Sequence, residues 1–300
     1  MSEKKRSDLF YRIPILTVSV LLVAAFIFLG AYQPLRWIFT AATAGIAALA
    51  LFEYYVLVRQ KGFSPAYTIG VVTAVLYIFA IFFKTQGPHP HWDSLWQKMP
   101  EIILTIGFFS CFVRYAWSGK DPIINIATSF LGIVYLAVPF GLVVRIMYFF
   151  MFEGASDPYF QGSWWIIYLI AVTKAADMGG YFIGRTAGRR KLAFKISPNK
   201  TLEGALGGLV ASILLSLLIC YLGKRFGQVF IGFTYLSSIV LGLLIGFFGQ
   251  MGDLAESLLK RDANVKDSNT LPGVGGILDM TDSILFTAPV VYIFLRVLYA

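Results

Sequence analysis

Charge is scarce in this chain, and histidine and cysteine are scarcer still. Asp, Glu, Lys and Arg make up 14% of the 300 residues, against roughly 25% in a soluble domain. With 58% hydrophobic residues and a mean hydropathy of +0.73, that deficit excludes an ordinary soluble domain. It predicts an all-α polytopic integral membrane protein. The two cysteines, Cys111 and Cys220, lie in separate apolar runs; their spacing fits neither a zinc site nor a disulfide framework. The only histidines, His89 and His91, share a proline-flanked loop and read as exposed loop residues rather than metal ligands. Acidic residues are fewer than basic ones, 16 against 25, for a net charge of +9. In a membrane protein that excess reflects cytoplasmic loops and contact with anionic membrane lipids, and no nucleic-acid partner is expected. No internal repeat, low-complexity tract or soluble domain is evident.

What the chain has is apolar length. A span needs about 20 mostly apolar residues, and about nine segments qualify: 13–30, 35–58, 66–83, 101–117, 123–151, 163–184, 203–223, 229–252 and 282–299. The first follows Lys4, Lys5 and Arg6. Its long apolar run, with no small-x-small cleavage site after it, reads as a retained span. Basic residues in short loops place the N-terminus, Arg59 and Lys61, Lys120, the 185–202 loop and the 253–281 loop inside. The loop 152–162 falls outside, as do Lys224 and Arg225, against the rule. Residues 1–151 read as a transmembrane scaffold of about five spans and 152–300 as a catalytic region of about four, in one continuous membrane domain. Glu53, Arg114 and Arg145 lie near predicted span ends and read as snorkelling side chains.

The densest run of charge is 253–283. Asp253, Glu256, Ser257 and Lys260 fall at i, i+3, i+4 and i+7, one face of a helix. Arg261, Lys266 and Asp267 follow in an expected loop. Pro272 with Gly273, Gly275 and Gly276 rules out regular helix there. Asp279, Asp282 and Ser283 then recur at helical spacing. Carboxylates, cations and a glycine-rich turn suggest a site for a phosphorylated ligand and a divalent metal; the plainer alternative is a solvated loop. A second constellation occupies 173–204. Lys174, Asp177, Tyr181 and Gly184 lie close to one helical face. A carboxylate within a span marks a partner or a functional site, although Lys174 and Asp177 can simply neutralise each other. Gly180 with Gly184, and Gly204 with Gly208, suit close helix packing; they permit a homodimer without requiring one. Arg185, Arg189, Arg190, Lys191, Lys195 and Lys200 follow without an acidic residue, then a turn at 197–201 and Glu203. Such donors suit phosphate oxygens or an anionic headgroup.

Together these constellations resemble the phosphatidate cytidylyltransferases, or CDP-diacylglycerol synthases. The resemblance is strongest over 173–283. It rests on A-D-x-G-x-Y-x-x-G-R (Asp177, Gly179, Tyr181, Gly184, Arg185), on K-x-S-P-x-K-T-x-E-G (Lys195, Ser197, Pro198, Lys200, Thr201, Glu203, Gly204), and on a longer third element. That element runs S-x-x-K-R, K-D, a proline–glycine turn, G-G, then L-D and a further D, carried by Ser257, Lys260, Arg261, Lys266, Asp267, Pro272, Gly273, Gly275, Gly276, Asp279 and Asp282. Val274 and Met280 stand where the family usually has histidine and arginine.

The resemblance implies CTP and phosphatidate as substrates, CDP-diacylglycerol and pyrophosphate as products, and Mg²⁺ assistance, with enough carboxylates for a second cation. It implies a bacterial-type inner membrane and an active site on the cytoplasmic face. Asp253, Asp279 and Asp282 are the expected metal ligands; Ser257 is expected to hydrogen-bond a phosphate or a metal-bound water, and Lys260 to neutralise phosphate. Asp177, Arg185, Lys195 and Lys200 are expected on the lipid-headgroup side, with Tyr181, Ser197 and Asp267 also among the substrate-binding residues. Arg261 and Lys266 are expected to bind the triphosphate or structural carboxylates, and the backbone at Gly273, Gly275 and Gly276 to approach the nucleotide. Two other readings are a transporter of an anionic solute, for which the missing repeat is unfavourable, and a related cytidylyltransferase with a different phospholipid acceptor.

Overall fold

The computed structural model describes residues 23–86, 93–119, 121–152, 158–193, 196–226, 230, 232–265 and 276–299. Among these, eight helices are long and apolar enough to cross a membrane. They are α1 (Arg36–Gln60), α2 (Tyr67–Lys84), α3 (Asp93–Ser118), α4 (Pro122–Met147), α5 (Pro158–Ala187), α6 (Leu202–Phe226), α7 (Tyr235–Asp262) and α8 (Ile277–Leu298). Each answers one of the expected spans after the first, which lies largely outside the described residues. In α4, the turn Ile133–Ala137 widens to a π-helix just before Pro139, a local adjustment that accommodates a residue with no N–H to donate.

Of the boundaries that differ from the hydropathy reading, two matter for the site. Helix α7 continues through Asp262, and α8 begins at Ile277. Asp253 to Arg261 and Asp279 to Ser283 are therefore helical, and Arg261 is not in a loop. Apolarity ends at 252, but helix formation does not require it: Leu, Ala, Glu and Lys are all good helix formers. The helix stops at Asn264, whose φ of 58° is left-handed. Asn264 N–H donates to the Arg261 carbonyl at 3.0 Å and Val265 N–H to that of Lys260 at 2.9 Å, a Schellman ending.

The basic segment between α5 and α6 also differs. Residues 197–201 are not a turn but a strand, β2 (Ser197–Thr201), paired antiparallel with β1 (Lys191–Ala193). Pro198 disfavours helical backbone at Ser197, and pairing with β1 supplies hydrogen bonds instead. The Thr201 hydroxyl accepts from Gly204 N–H at 3.1 Å, and Glu203 Oε2 accepts from the backbone N–H groups of Arg189 at 2.9 Å and Arg190 at 3.1 Å. The hairpin is thus tied to the first turn of α6.

Helices α5, α6, α7 and α8 pack in sequence, each on the next. The α5–α6 seam is where the small residues act. A Cβ on Gly204 would lie 2.8 Å from the Gly180 carbonyl, and one on Gly208 2.7 Å from that of Ala176. The glycine pairs thus let two helices of one chain approach closely. A contiguous apolar core then runs from Phe39 and Leu51 on α1 through Trp165 and Tyr168 on α5 to Leu285 and Leu295 on α8.

Candidate active site

Glu53, near the cytoplasmic end of its expected span and read above as snorkelling, instead builds the site. It is 2% exposed, and its carboxylate accepts from the N–H groups of Ile277 at 3.0 Å and Leu278 at 2.8 Å. Those are the first N–H groups of α8, which have no partner within their own helix. Gly276, the residue before α8, has φ −75° and ψ 134° and no side chain to cap it. A carboxylate from α1 does so instead, and fixes the depth at which Asp279 and Asp282 enter. Only an acidic residue within a span pointed towards this; its partner is more than 200 residues away.

The charges gather into two groups. In the first, Lys260 Nζ lies 2.7 Å from Glu256 Oε2 and 2.8 Å from Asp279 Oδ1. Glu256 is 1% exposed. It was recognised on the Asp253 face but given no role. In the second, Lys200 Nζ from β2 lies 2.7 Å from Asp253 Oδ2. Asp177 pairs with Lys174 at 3.1 Å and accepts from the Ser283 hydroxyl at 3.4 Å. Asp282 is buried and accepts from Ser283 N–H at 2.5 Å. Asp253, Asp177 and Asp282 act on one another electrostatically.

The three expected metal ligands are therefore divided: Asp253 and Asp282 share one group, while Asp279 is held in the other. Among the described residues no three His, Cys, Asp or Glu side chains converge closely enough to hold a metal ion. The donor chemistry nevertheless fits a hard cation, because Asp253, Asp177 and Asp282 all offer carboxylate oxygens.

A cavity of about 460 Å³ opens beside the second group, between α5, α6, α7 and the hairpin. Asp177, Tyr181, Arg185, Lys200, Gln250 and Asp253 line it. Four expected substrate-side residues, Asp177, Tyr181, Arg185 and Lys200, thus meet on one wall; Gln250 was not anticipated. It donates to the Ala205 carbonyl at 3.0 Å, bracing α7 on α6. Arg185 donates to the Tyr181 hydroxyl at 2.9 Å. Ser197 is half-buried on β2 and outside the cavity lining. Ser257 is half-buried one turn beyond Asp253. Arg261 donates to the Ile196 carbonyl at 3.2 Å and the Val265 carbonyl at 3.3 Å, clipping the end of α7 to the hairpin. Lys195, Lys266, Asp267, Gly273 and Gly275, with Pro272 and Val274, lie outside the described residues.

The site has a definite depth. At 1.5 Å per residue, Lys174 is about 24 Å from the Pro158 end of α5. Asp253 and Met280 are each about 27 Å from the corresponding ends of α7 and α8. The three helices therefore bring these residues to one level, where Lys174 approaches the Met280 carbonyl.

Comparison with known proteins agrees with this geometry. Residues 11–298 match the model of the cytidylyltransferase family. The phosphatidate cytidylyltransferase of Synechocystis sp. is 36% identical over 285 residues, 87% of this chain and 89% of that one. That of Bacillus subtilis is 33% identical over 280 residues, 91% and 94% of the two chains. That of Chlamydia pneumoniae is 30% identical over 291 residues, 97% and 92%. The chain belongs to the cytidylyltransferase family.

Proposed function

We propose that the chain transfers the cytidylyl group of CTP to phosphatidate, making CDP-diacylglycerol and pyrophosphate. The observation that carries this reading is the single layer of carboxylates and lysines, with a cavity beside it that Asp177, Arg185, Lys200 and Asp253 line. The named activity of the relatives supports it. A phosphate oxygen of the lipid attacks the α-phosphorus of CTP; the new P–O bond forms as the bond to the bridging oxygen breaks, and the electron pair leaves with pyrophosphate. An ionised phosphate is already a nucleophile, so the step needs no histidine base. The protein's work is to align two anions and offset their charge.

Lys200 and Arg185, on the cavity wall, supply positive charge to the triphosphate. Tyr181 orients Arg185 through its hydroxyl. Lys260 holds Asp279 and Glu256 and so sets the first turn of α8. Asp253 and Asp282, with Asp177 beside them, would hold Mg²⁺, which when bound supplies further charge against the triphosphate. The loop lysines and arginines support a cytoplasmic-facing site in a bacterial-type inner membrane. A transporter reading is weaker, since the charges share one level rather than tracing a path across the bilayer.

The test is direct. Purified protein in phosphatidate-containing micelles, given α-labelled CTP and Mg²⁺, should form a labelled lipid and release pyrophosphate. Product with another phospholipid acceptor only would correct the acceptor; no product with any acceptor or divalent metal would overturn the reading.

A further inference from the structure

We infer that Lys174 binds the phosphate of the lipid acceptor and discriminates that substrate, beyond neutralising Asp177. The inference rests on the cytidylyl-transfer reading above. Three lysines contribute to the charge layer, and they differ in access. The Lys260 side chain is 12% exposed and engaged by two carboxylates; that of Lys200 is 22% exposed and sits on the cavity wall; that of Lys174 is 43% exposed. Lys174 therefore has the most exposed side chain of the three, although it belongs to a membrane-spanning helix. A lysine there is costly unless it is paired or serves a ligand.

Its pairing is incomplete. An ammonium has three donors. Lys174 gives one to Asp177 at 3.1 Å and a longer one to the Met280 carbonyl at 3.4 Å, which leaves the third for a ligand. Asp177 is itself a cavity-lining residue; Lys174, one turn away on α5, does not line the cavity but is tied to it through Asp177. The first turn of α8 brings no cation to this place. Asp279 is held by Lys260, Thr281 bonds back to the Ile277 carbonyl at 2.8 Å, and Met280 is 48% exposed and uncharged. Lys174, crossing from α5 onto the Met280 backbone, provides the positive charge the turn lacks.

Depth decides which anion it meets. Lys174 lies about 16 Å along α5 from Arg185, towards the far end of that helix, so it is the deeper of the two cations. A lipid phosphate, tethered by its acyl chains, approaches from the membrane and meets a lysine side chain that snorkels towards the surface. A triphosphate arriving from water meets Lys200 and Arg185 on the cavity wall first.

The experiment compares wild type with Lys174→Met, Lys174→Arg and the double variant Lys174→Met/Met280→Arg. KM is measured for phosphatidate by mole fraction in micelles at saturating CTP, then for CTP at saturating phosphatidate. Melting temperature and phosphatidate binding by native mass spectrometry are read alongside, with phosphatidylcholine as the control lipid. Loss of a charge-assisted hydrogen bond predicts a rise of about 10-fold or more in the phosphatidate KM of Lys174→Met, with the CTP KM within about 2-fold. Lys174→Arg and the double variant should recover most of that loss. An unchanged phosphatidate KM with a lowered melting temperature would overturn the inference and leave Lys174 as a partner of Asp177 alone. A parallel rise in both KM values would overturn it in favour of a general role. If wild type makes no cytidylated lipid, the transfer reading fails. The binding arm then still decides Lys174: equal phosphatidate binding by wild type and Lys174→Met would overturn the inference.

Discussion

Replacing Lys260 by methionine leaves two carboxylates facing one another, one of them buried. Lys260 makes contacts of 2.7 Å and 2.8 Å, to a Glu256 side chain 2% exposed and an Asp279 side chain 32% exposed. A charge-assisted hydrogen bond contributes about 1.5–3 kcal/mol, and the Glu256 contact carries most of that because little solvent screens it. The Asp279 contact is discounted towards the ~1 kcal/mol of an exposed pair. Lys260→Met should therefore cost about 3 kcal/mol, roughly 6 °C or more of melting temperature. Adding Glu256→Gln replaces the buried carboxyl by a neutral amide that can donate to Asp279 without taking up a proton, so the double variant should recover about 2 kcal/mol. Thermal melts in one detergent across wild type, both single variants and the double variant give the coupling directly. A Lys260→Met melt within a degree of wild type would refute the reasoning, as would a double variant no more stable than Lys260→Met.

The other predictions concern separate parts of the structure. Asp253→Asn should abolish turnover while leaving membrane insertion and melting temperature close to wild type; near-normal activity at limiting Mg²⁺ would remove Asp253 from the metal site. Glu53→Gln should destabilise the start of α8 by about 1 kcal/mol, read as faster hydrogen exchange at Ile277 and Leu278, with unchanged exchange counting against the cap. Gly204→Ala should lower the melting temperature, since its methyl would meet the Gly180 carbonyl at 2.8 Å; an unchanged melt would show that α5 and α6 can part without cost.

Hydropathy located the eight described spans because burying apolar length in lipid is a local demand of each segment. It misjudged α7 and α8 at their polar ends, where backbone hydrogen bonding continues after apolarity stops. The hairpin was missed for a related reason: two short strands become favourable only through each other. Asp177 stood out as charge placed where a membrane resists it, and Arg185 and Lys200 as part of a basic run suited to phosphate; the fold brings all three to one cavity. Glu53 was not, because the signal is a pair of backbone amides on α8.

The amino-acid sequence by itself determined the approximate positions of those eight described spans, the helical faces that carry Asp253, Glu256 and Lys260, and the spacing that resembles the cytidylyltransferases. Each of these depends on residues within a few turns of one another. Tertiary structure alone decided the partners: Lys200 with Asp253, Lys260 between Glu256 and Asp279, Lys174 over Met280, and Glu53 beneath α8. Those pairings depend on the rotation and depth at which one helix lies against another. Packing across the glycine seam and the buried cap sets that geometry, and no short stretch of chain contains it.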